Sequence, residues 1–273
     1  MGEGHPGVDA VHPERLMAKK KPAGRPNVLG IDIGGSGVKG GIVDLDKGEL
    51  ITDRHRFPTP HPATPEALAT VARRLVDHFG WENAVGVAMP SIVRRGIVHS
   101  AANIDESWMG LDAVKWFSAA LERPVRVLND ADAAGLAEMH YGHARDYPKG
   151  VTILLTLGTG IGSAMFVDGE LLPNSELGHL IFKGSDAEHY ASAKVREAQR
   201  LSWKAWGGRV NEFLAHIEFL FSPDVIIIGG GVSRRHERFF RYLDTSARIL
   251  AAELENRAGV VGAAWYAAQE GAL

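Results

Sequence analysis

Two stretches of this chain share one pattern. Residues 31–43 (IDIGGSGVKGGIV) lie on residues 155–167 (LTLGTGIGSAMFV) without a gap at an offset of 124. Each is an apolar run, a glycine turn and a second apolar run, followed by a further turn ending in Gly-Glu-Leu. Within the blocks only Gly34/Gly158 and Val43/Val167 are identical, so what repeats is the pattern rather than the letters. The spacing predicts two β-hairpins with tight, nearly bare turns. Facing each other, such turns aim two sets of backbone N–H groups at one anion between them. Glycine is abundant enough to supply them, at 32 of 273 residues, where about 7% is usual.

Regular structure is predicted from Asn27 onward. Residues 28–33 form an apolar run, residues 37–44 a second, and residues 49–57 a third after Asp46, Lys47 and Gly48, which reads as three successive strands. A helix follows: Thr64 caps it, Pro65 suits its first position, and Leu68, Val71, Ala72, Leu75, Val76 and Phe79 share one face before Gly80 stops it. Residues 84–89 read as a buried strand ending at Pro90, and residues 125–128 as another ending at Asn129 and Asp130, with a helix over residues 131–139. Strands alternating with helices predict an α/β sheet protein, long enough for one large domain or two modest ones.

What the chain lacks narrows its function. Gly35-x-Gly37-x-x-Gly40 matches the dinucleotide fingerprint, but that turn must open a helix, and Gly40-Gly-Ile-Val-Asp44 continues as a strand. No P-loop motif occurs. The absence of cysteine excludes disulfides, thiolate zinc sites and cysteine nucleophiles, and fits a reducing, cytoplasmic setting. No run of eighteen apolar residues predicts a membrane-spanning helix. A net charge of −3 points to neither a nucleic acid nor a membrane partner. Residues 1–26, including Lys19-Lys20-Lys21, read as a solvated, flexible tail without a signal-like segment.

Asp32-Ile-Gly-Gly-Ser-Gly-Val-Lys39, Leu157-Gly-Thr-Gly-Ile-Gly162 and Ile228-Gly-Gly-Gly231 resemble, in that order, the two phosphate motifs and the adenosine motif of the sugar kinase, Hsp70 and actin superfamily. Within it the chain resembles the ROK family (repressors, open reading frames and kinases), in particular its bacterial glucokinases that use polyphosphate. That resemblance rests on Ala101-Ala-Asn103-Ile-Asp-Glu-Ser-Trp108, Asn129-Asp130-Ala-Asp-Ala-Ala-Gly-Leu-Ala-Glu138 and Asn174-Ser-Glu176-Leu-Gly-His179, and runs over about residues 27–268. It implies a two-lobed, actin-like (ribonuclease H-like) α/β fold with a central interlobe cleft, residues 27–130 and 257–273 forming the first lobe and residues 131–256 the second. It also implies an enzyme moving a phosphoryl group from inorganic polyphosphate, with ATP as a second donor, to the 6-hydroxyl of glucose. An ATP-only glucokinase or another ROK hexokinase is the near alternative, and a non-catalytic sugar-sensing member the distant one. Asp130 and both glycine turns weigh against a sensor, and the stretch before Asn27 is too short and polar for a repressor's helix-turn-helix. The family's zinc-binding cysteine cluster has no counterpart in residues 181–189, which leaves His179 for the sugar, and Pro90-Ser91 stands where Pro-Gly is expected.

A sugar hydroxyl ionises far above neutral pH, so phosphorylating it requires a carboxylate placed to take its proton. Asp130, at the C-terminal end of a strand, is the candidate base, although spacing alone favours Asn129-Asp130 as a helix cap. By resemblance Asn103, Asn129, Asp130, Glu176, His179 and Glu188 form the glucose-binding belt. Isolated histidines and glutamates are more often bystanders or surface charges, and the Glu188 assignment rests only on its spacing to Ser192. On the donor side, Gly34, Gly35, Ser36 and Gly37 and then Gly158, Thr159, Gly160 and Gly162 would offer amides to phosphate. Asp32 would steer Mg²⁺ through water, with Thr156 in its place in the repeat. Lys39 either reaches phosphate or faces solvent, and Gly229, Gly230 and Gly231 either pass close to a nucleotide or make a plain turn before a helix. Arg94, Arg95, Lys183, Lys194, Arg196, Arg234 and Arg235 are the basic residues available to a long polyphosphate. ROK kinases are commonly homodimers, and Phe213, Ile217 and Leu220 with Trp203 and Trp206 form either part of an interface or core.

Overall fold

The computed structural model describes residues 25–269, so most of the expected tail, with its lysine run, lies outside the described residues. The first hairpin consists of β1 (Val28–Gly34) and β2 (Gly37–Asp44), paired antiparallel from Val28↔Val43 to Gly34↔Gly37. The third strand expected over residues 49–57 is broken in two: β3 (Glu49–Leu50) pairs with one end of β2 and β4 (His55–Phe57) with the other. Between them the Thr52 hydroxyl accepts the Ile42 N–H at 3.1 Å, a side-chain bond in place of a ladder bond.

Helix α1 (Pro65–Phe79) starts and stops where its residues dictate, with Thr64 Oγ1 accepting from Ala67 N–H and Gly80 left-handed at φ 55°. It buries Leu68, Val71, Ala72, Leu75 and Val76 against the sheet. Strand β5 (Val85–Met89) lies parallel to β1; then come the small hairpin β6 (Val93–Arg94) and β7 (Ile97–Val98), helix α2 (Ala113–Leu121), and β8 (Val125–Asn129) parallel to β5. The first sheet therefore runs β3-β2-β1-β5-β8, with β4 beside β2.

Helix α3 (Asp130–Tyr141) leads to the second hairpin, β9 (Val151–Leu157) and β10 (Ile161–Val167), followed by β11 (Glu170–Leu172) and the short pair β12 (Ile181–Phe182) and β13 (Ser185–Asp186). Helices α4 (Glu188–Ala191), α5 (Ala193–Ala198) and α6 (Trp203–Phe221) precede β14 (Val225–Gly229) and β15 (Arg248–Ala251), and α7 (Ala258–Ala267) closes the described chain. The second sheet runs β11-β10-β9-β14-β15, strand for strand the order of the first. The repeat is not gapless in the ladder, however. Gly35 and Ser36 alone separate the paired Gly34 and Gly37, whereas Gly158, Thr159 and Gly160 separate the paired Leu157 and Ile161. As a result Lys39 lies opposite Asp32, but Gly162 lies opposite Thr156.

Helices α3 and α7 pack between the sheets. A Cβ at Gly30 would stand 2.0 Å from the Val260 carbonyl oxygen and one at Gly86 1.8 Å from that of Ala263, so α7 rests on the first sheet backbone to backbone. A Cβ at Gly262 would stand 1.7 Å from the Ala133 carbonyl oxygen, which brings α3 equally close to α7. On the outer face of the second sheet, α6 buries Trp206, Phe213 and Ile217 completely, so these members of the possible interface are core, while Leu220 remains 45% exposed. Trp203, half-buried, stacks on Phe239. The helix expected after Gly231 is only a short 3-10 segment, Ser233–Arg238, with non-helical backbone at Arg235. Among the described residues no helix is long and apolar enough to cross a membrane.

Candidate active site

Strand β8 delivers Asn129 and Asp130 to the junction of the two sheets. Asn129 is the cap: its Oδ1 accepts from Ala131 N–H at 2.8 Å and Asp132 N–H at 3.0 Å, and its Nδ2 donates to the Ser91 carbonyl at 3.2 Å. Asp130 is the first residue of α3, and its Oδ1 accepts from Ala131 N–H at 2.9 Å. Burial pushes the Asp130 carboxyl up to about 7; the negative charge of Asp32 adds to this, the Ala131 N–H opposes it, and the charge of Glu176 adds again. A carboxyl in that range can accept a proton at neutral pH.

The residues expected to bind the sugar hang on β10. Ser163 Oγ donates to the Ser175 carbonyl at 2.6 Å and accepts from Leu177 N–H at 2.9 Å, which pins the loop carrying Glu176. The Glu-x-Gly-His spacing has a steric origin: a Cβ at Gly178 would stand 2.1 Å from the Ile161 carbonyl oxygen, so only glycine lets this loop lie on the strand. His179 Nδ1 is 2.8 Å from Asp186 Oδ2, a bond that raises the histidine pKa, orients the ring and leaves Nε2 for a ligand. Burial raises the Glu176 carboxyl, the positive charge of His179 opposes this, and Glu188 adds to it. Glu188 Oε2 accepts from Ile161 N–H at 3.2 Å, tying the start of α4 to the second glycine turn. Asn103 is exposed on its loop and makes no hydrogen bond to these groups, so the structure does not bring it into their network. Asn174, by contrast, bridges the sheets: its Oδ1 accepts from Val93 N–H at 2.8 Å, its Nδ2 donates to the Val93 carbonyl at 3.0 Å, and its N–H donates to Asp132 Oδ2 at 2.8 Å.

On the donor side Lys39 turns inward, its Nζ 3.0 Å from Asp32 Oδ2, with 25% and 14% of the two side chains exposed. Arg56 pairs with Lys39 across β2 and β4 and donates from Nη2 to the Ser36 carbonyl at 2.5 Å, while Thr59 Oγ1 donates to the Gly34 carbonyl at 2.5 Å. Arg56, Thr59 and Asp186 carried no signal in the sequence reading. Arg56 and Thr59 lie outside the glycine motif they support, and Asp186 sits in an ordinary Gly-Ser-Asp turn. In the second turn Gly158 N–H donates to the Gly160 carbonyl, and Lys194 N–H, from α5, to that of Gly158. Gly229 lies beside Thr156 in parallel register, and Gly230, at φ 82°, approaches the Leu157 carbonyl, so residues 229–231 abut this turn. Of the basic candidates, Lys183 is held by Glu212, Arg234 by Glu255 at 2.7 Å, and Arg196 lies over Trp203 at 4.1 Å; Arg94, Arg95, Lys194 and Arg235 are exposed. Among the described residues no three metal-ligating side chains cluster. Asp32 alone, beside the first turn, suits Mg²⁺, which takes one or two carboxylates and completes its shell with phosphate and water.

Two sheets of one strand order, joined through α3 and α7, are the two-lobed actin-like fold of the sugar kinases. The chain belongs to the ROK family, whose sequence profile matches residues 28–192. It is 48% identical over 237 residues to the polyphosphate glucokinase of Mycobacterium leprae, which spans 86% of this chain and 73% of the relative. The inorganic polyphosphate/ATP-glucomannokinase of Arthrobacter sp. strain KM superposes with a TM-score of 0.84 at 48% identity, covering 89% of this chain and 98% of that one. The ROK family glucokinase of Streptomyces griseus, solved with glucose and AMPPNP, superposes with a TM-score of 0.73 at 26% identity, covering 89% and 99%.

Proposed function

We propose that this enzyme transfers the terminal phosphoryl group of inorganic polyphosphate, with ATP as a second donor, to the 6-hydroxyl of glucose. The observation that carries this reading is the position of Asp130, a carboxyl pushed up to about 7 and acted on by Asp32 from the donor side and Glu176 from the sugar side. Glucose lies among Glu176, His179 and Glu188, whose oxygens and ring nitrogen hold its hydroxyls in fixed directions. Asp130 takes the 6-hydroxyl proton as the oxygen attacks phosphorus, and the shortened polyphosphate or ADP departs along the glycine turns. Lys39, Arg56 and the turn amides offset the charge of the transferring group. Asp32 would hold Mg²⁺ through water, and the ion would supply further charge neutralisation.

The enzyme works as a cytoplasmic homodimer in this proposal; Phe219 and Ile181, 83% and 71% exposed, are large apolar side chains available to a subunit contact. The test is glucose 6-phosphate formation with polyphosphate and with ATP, each purified of the other. Product from both supports the proposal, and product from ATP alone assigns an ATP-only glucokinase.

A further inference from the structure

At the free edge of the first sheet, a cavity of about 450 Å³ opens between β8, the β6–β7 hairpin, α2 and the end of α7. Its walls include Val93, Val114 and Val127, and its polar groups belong to Arg95, Arg126 and Tyr266. None of these residues takes part in the proposed reaction, although Arg95 is one of the exposed basic residues available to a long polyphosphate and Val93 anchors Asn174 through its backbone. Arg126 is the unusual one: its Nη1 is buried without a hydrogen-bond partner, and no carboxylate among the described residues forms an ion pair with it. A buried guanidinium nitrogen with no acceptor is costly, and it is retained where a ligand supplies the missing oxygen. Tyr266 lies within reach of this charge. Burial raises its phenol pKa, Arg126 opposes the rise, and Asp132 adds to it. Asp132 gives Oδ2 to the Asn174 N–H, and its buried Oδ1, like Arg126 Nη1, has no hydrogen-bond partner, so the two groups do not bond to each other. Arg95 stands exposed beside Gly96 at the rim.

We propose that this cavity is a second ligand site, built for a small phosphomonoester. The guanidinium fork of Arg126 matches two phosphate oxygens, the Tyr266 hydroxyl donates to a third, and Arg95 adds charge at the mouth. The volume falls within the roughly 300–1,000 Å³ of small-molecule sites, and three valines line it, so the occupant carries an organic body as well as its phosphate. Val93 joins the pocket to the catalytic junction, since its backbone is the partner of Asn174, two residues before Glu176.

Calorimetric titration of the full chain, with glucose saturating so that the sugar site is filled, tests this without relying on turnover. The probes are glycerol 3-phosphate, glucose 6-phosphate and inorganic phosphate. At least one of the two esters should bind more tightly than inorganic phosphate, and at least tenfold more weakly to Arg126→Met. Val114→Trp, which fills the cavity from α2 and keeps the charge, should weaken it as much, and it decides the matter if the arginine variant does not fold. Absence of ester binding to the wild type, equal binding by the variants, or inorganic phosphate binding as tightly as both esters overturns the proposal. Because the readout is binding at residues outside the catalytic junction, none of these outcomes bears on the kinase reading.

Discussion

At the tip of the first hairpin, Asp32 and Lys39 face each other across the strands and Arg56 reaches the Ser36 carbonyl. At the tip of the second, the corresponding ladder pair is Thr156 and Gly162, and a carboxylate, Glu188, takes the Ile161 N–H. The backbones repeat; the charges do not. In the proposed reaction, the cations offered to the polyanion stand on the first lobe, while the acids offered to the sugar gather around the second turn. A lysine at the place of Gly162 would pair with those acids and cancel both roles. Instead, a Cβ there would stand 2.6 Å from Thr156 Oγ1 and 3.1 Å from Ala131 Cβ, so the position is reserved for close packing of α3 against the hairpin.

The sharpest test of this division is chelation of Mg²⁺. If the first hairpin holds one carboxylate and too few cations to act unaided, EDTA should abolish glucose 6-phosphate formation from either donor; retention of more than about 1% of the rate would show that Lys39 and Arg56 suffice. Next comes Asp130→Asn, placed between the two hairpins. Turnover should fall by about a hundredfold or more while glucose affinity by calorimetry stays within about threefold, because the amide keeps the shape but takes no proton. Near-normal turnover would remove Asp130 from the base role.

The same variant has a stability signature. The folded-state carboxyl at about 7 lies above its ordinary 3.8, so folded chains keep a proton that unfolded chains release as pH rises from about 4. Stability from this group is therefore present below that range and lost as pH climbs through 7. Asp130→Asn should melt higher than wild type at pH 8, by roughly 2–4 °C, and no higher at pH 4. Asp132, also pushed up to about 7 by burial, titrates in both proteins and drops out of the difference.

Smaller effects separate the hairpins directly. Lys39→Met should lower kcat/KM for either donor by about tenfold to a hundredfold with little change in melting temperature. Gly162→Ser should do the reverse, lowering the melting temperature through its crowded Cβ; a large selective loss of donor affinity there would break the comparison. Gly178→Ala should raise the KM for glucose several-fold, as the methyl pushes the Glu176 loop off β10. The smallest effect belongs to neutralising Arg234 and Arg235 together, which should raise the KM for long polyphosphate about two- to threefold and that for ATP less. Glu255 already holds Arg234, so the exposed Arg235 should carry most of it. An equal effect on both donors would place the polyphosphate path elsewhere.

Much of this arrangement was legible because it is local. Thr64, Pro65 and Gly80 mark both ends of α1, and each glycine turn announces its hairpin by itself. What escaped depends on partners distant in sequence. The break in the third strand needs Thr52 to find Ile42, the orientation of His179 needs Asp186, and the first turn borrows Arg56 and Thr59 from beyond its own motif. The ungapped alignment of the two blocks also concealed the extra turn residue, because a shift of one place in a ladder leaves the apolar runs looking alike. Periodicity on α6 shows which residues share a face but not what covers it, and only packing shows that Trp206, Phe213 and Ile217 are interior.

At Gly30, Gly86 and Gly262 the seam where α7 meets β1, β5 and α3 has hydrogen atoms where other helix packings place side chains. Val260 and Val261 of α7 are fully buried beside these contacts. This closeness removes every cushion, because an added methyl at Gly30, Gly86 or Gly262 strikes a backbone carbonyl that cannot swing aside. At these points the seam admits no added side chain. In a library of random variants, these three glycines should be purged as strictly as the residues around the reacting phosphate, although none of them meets a substrate.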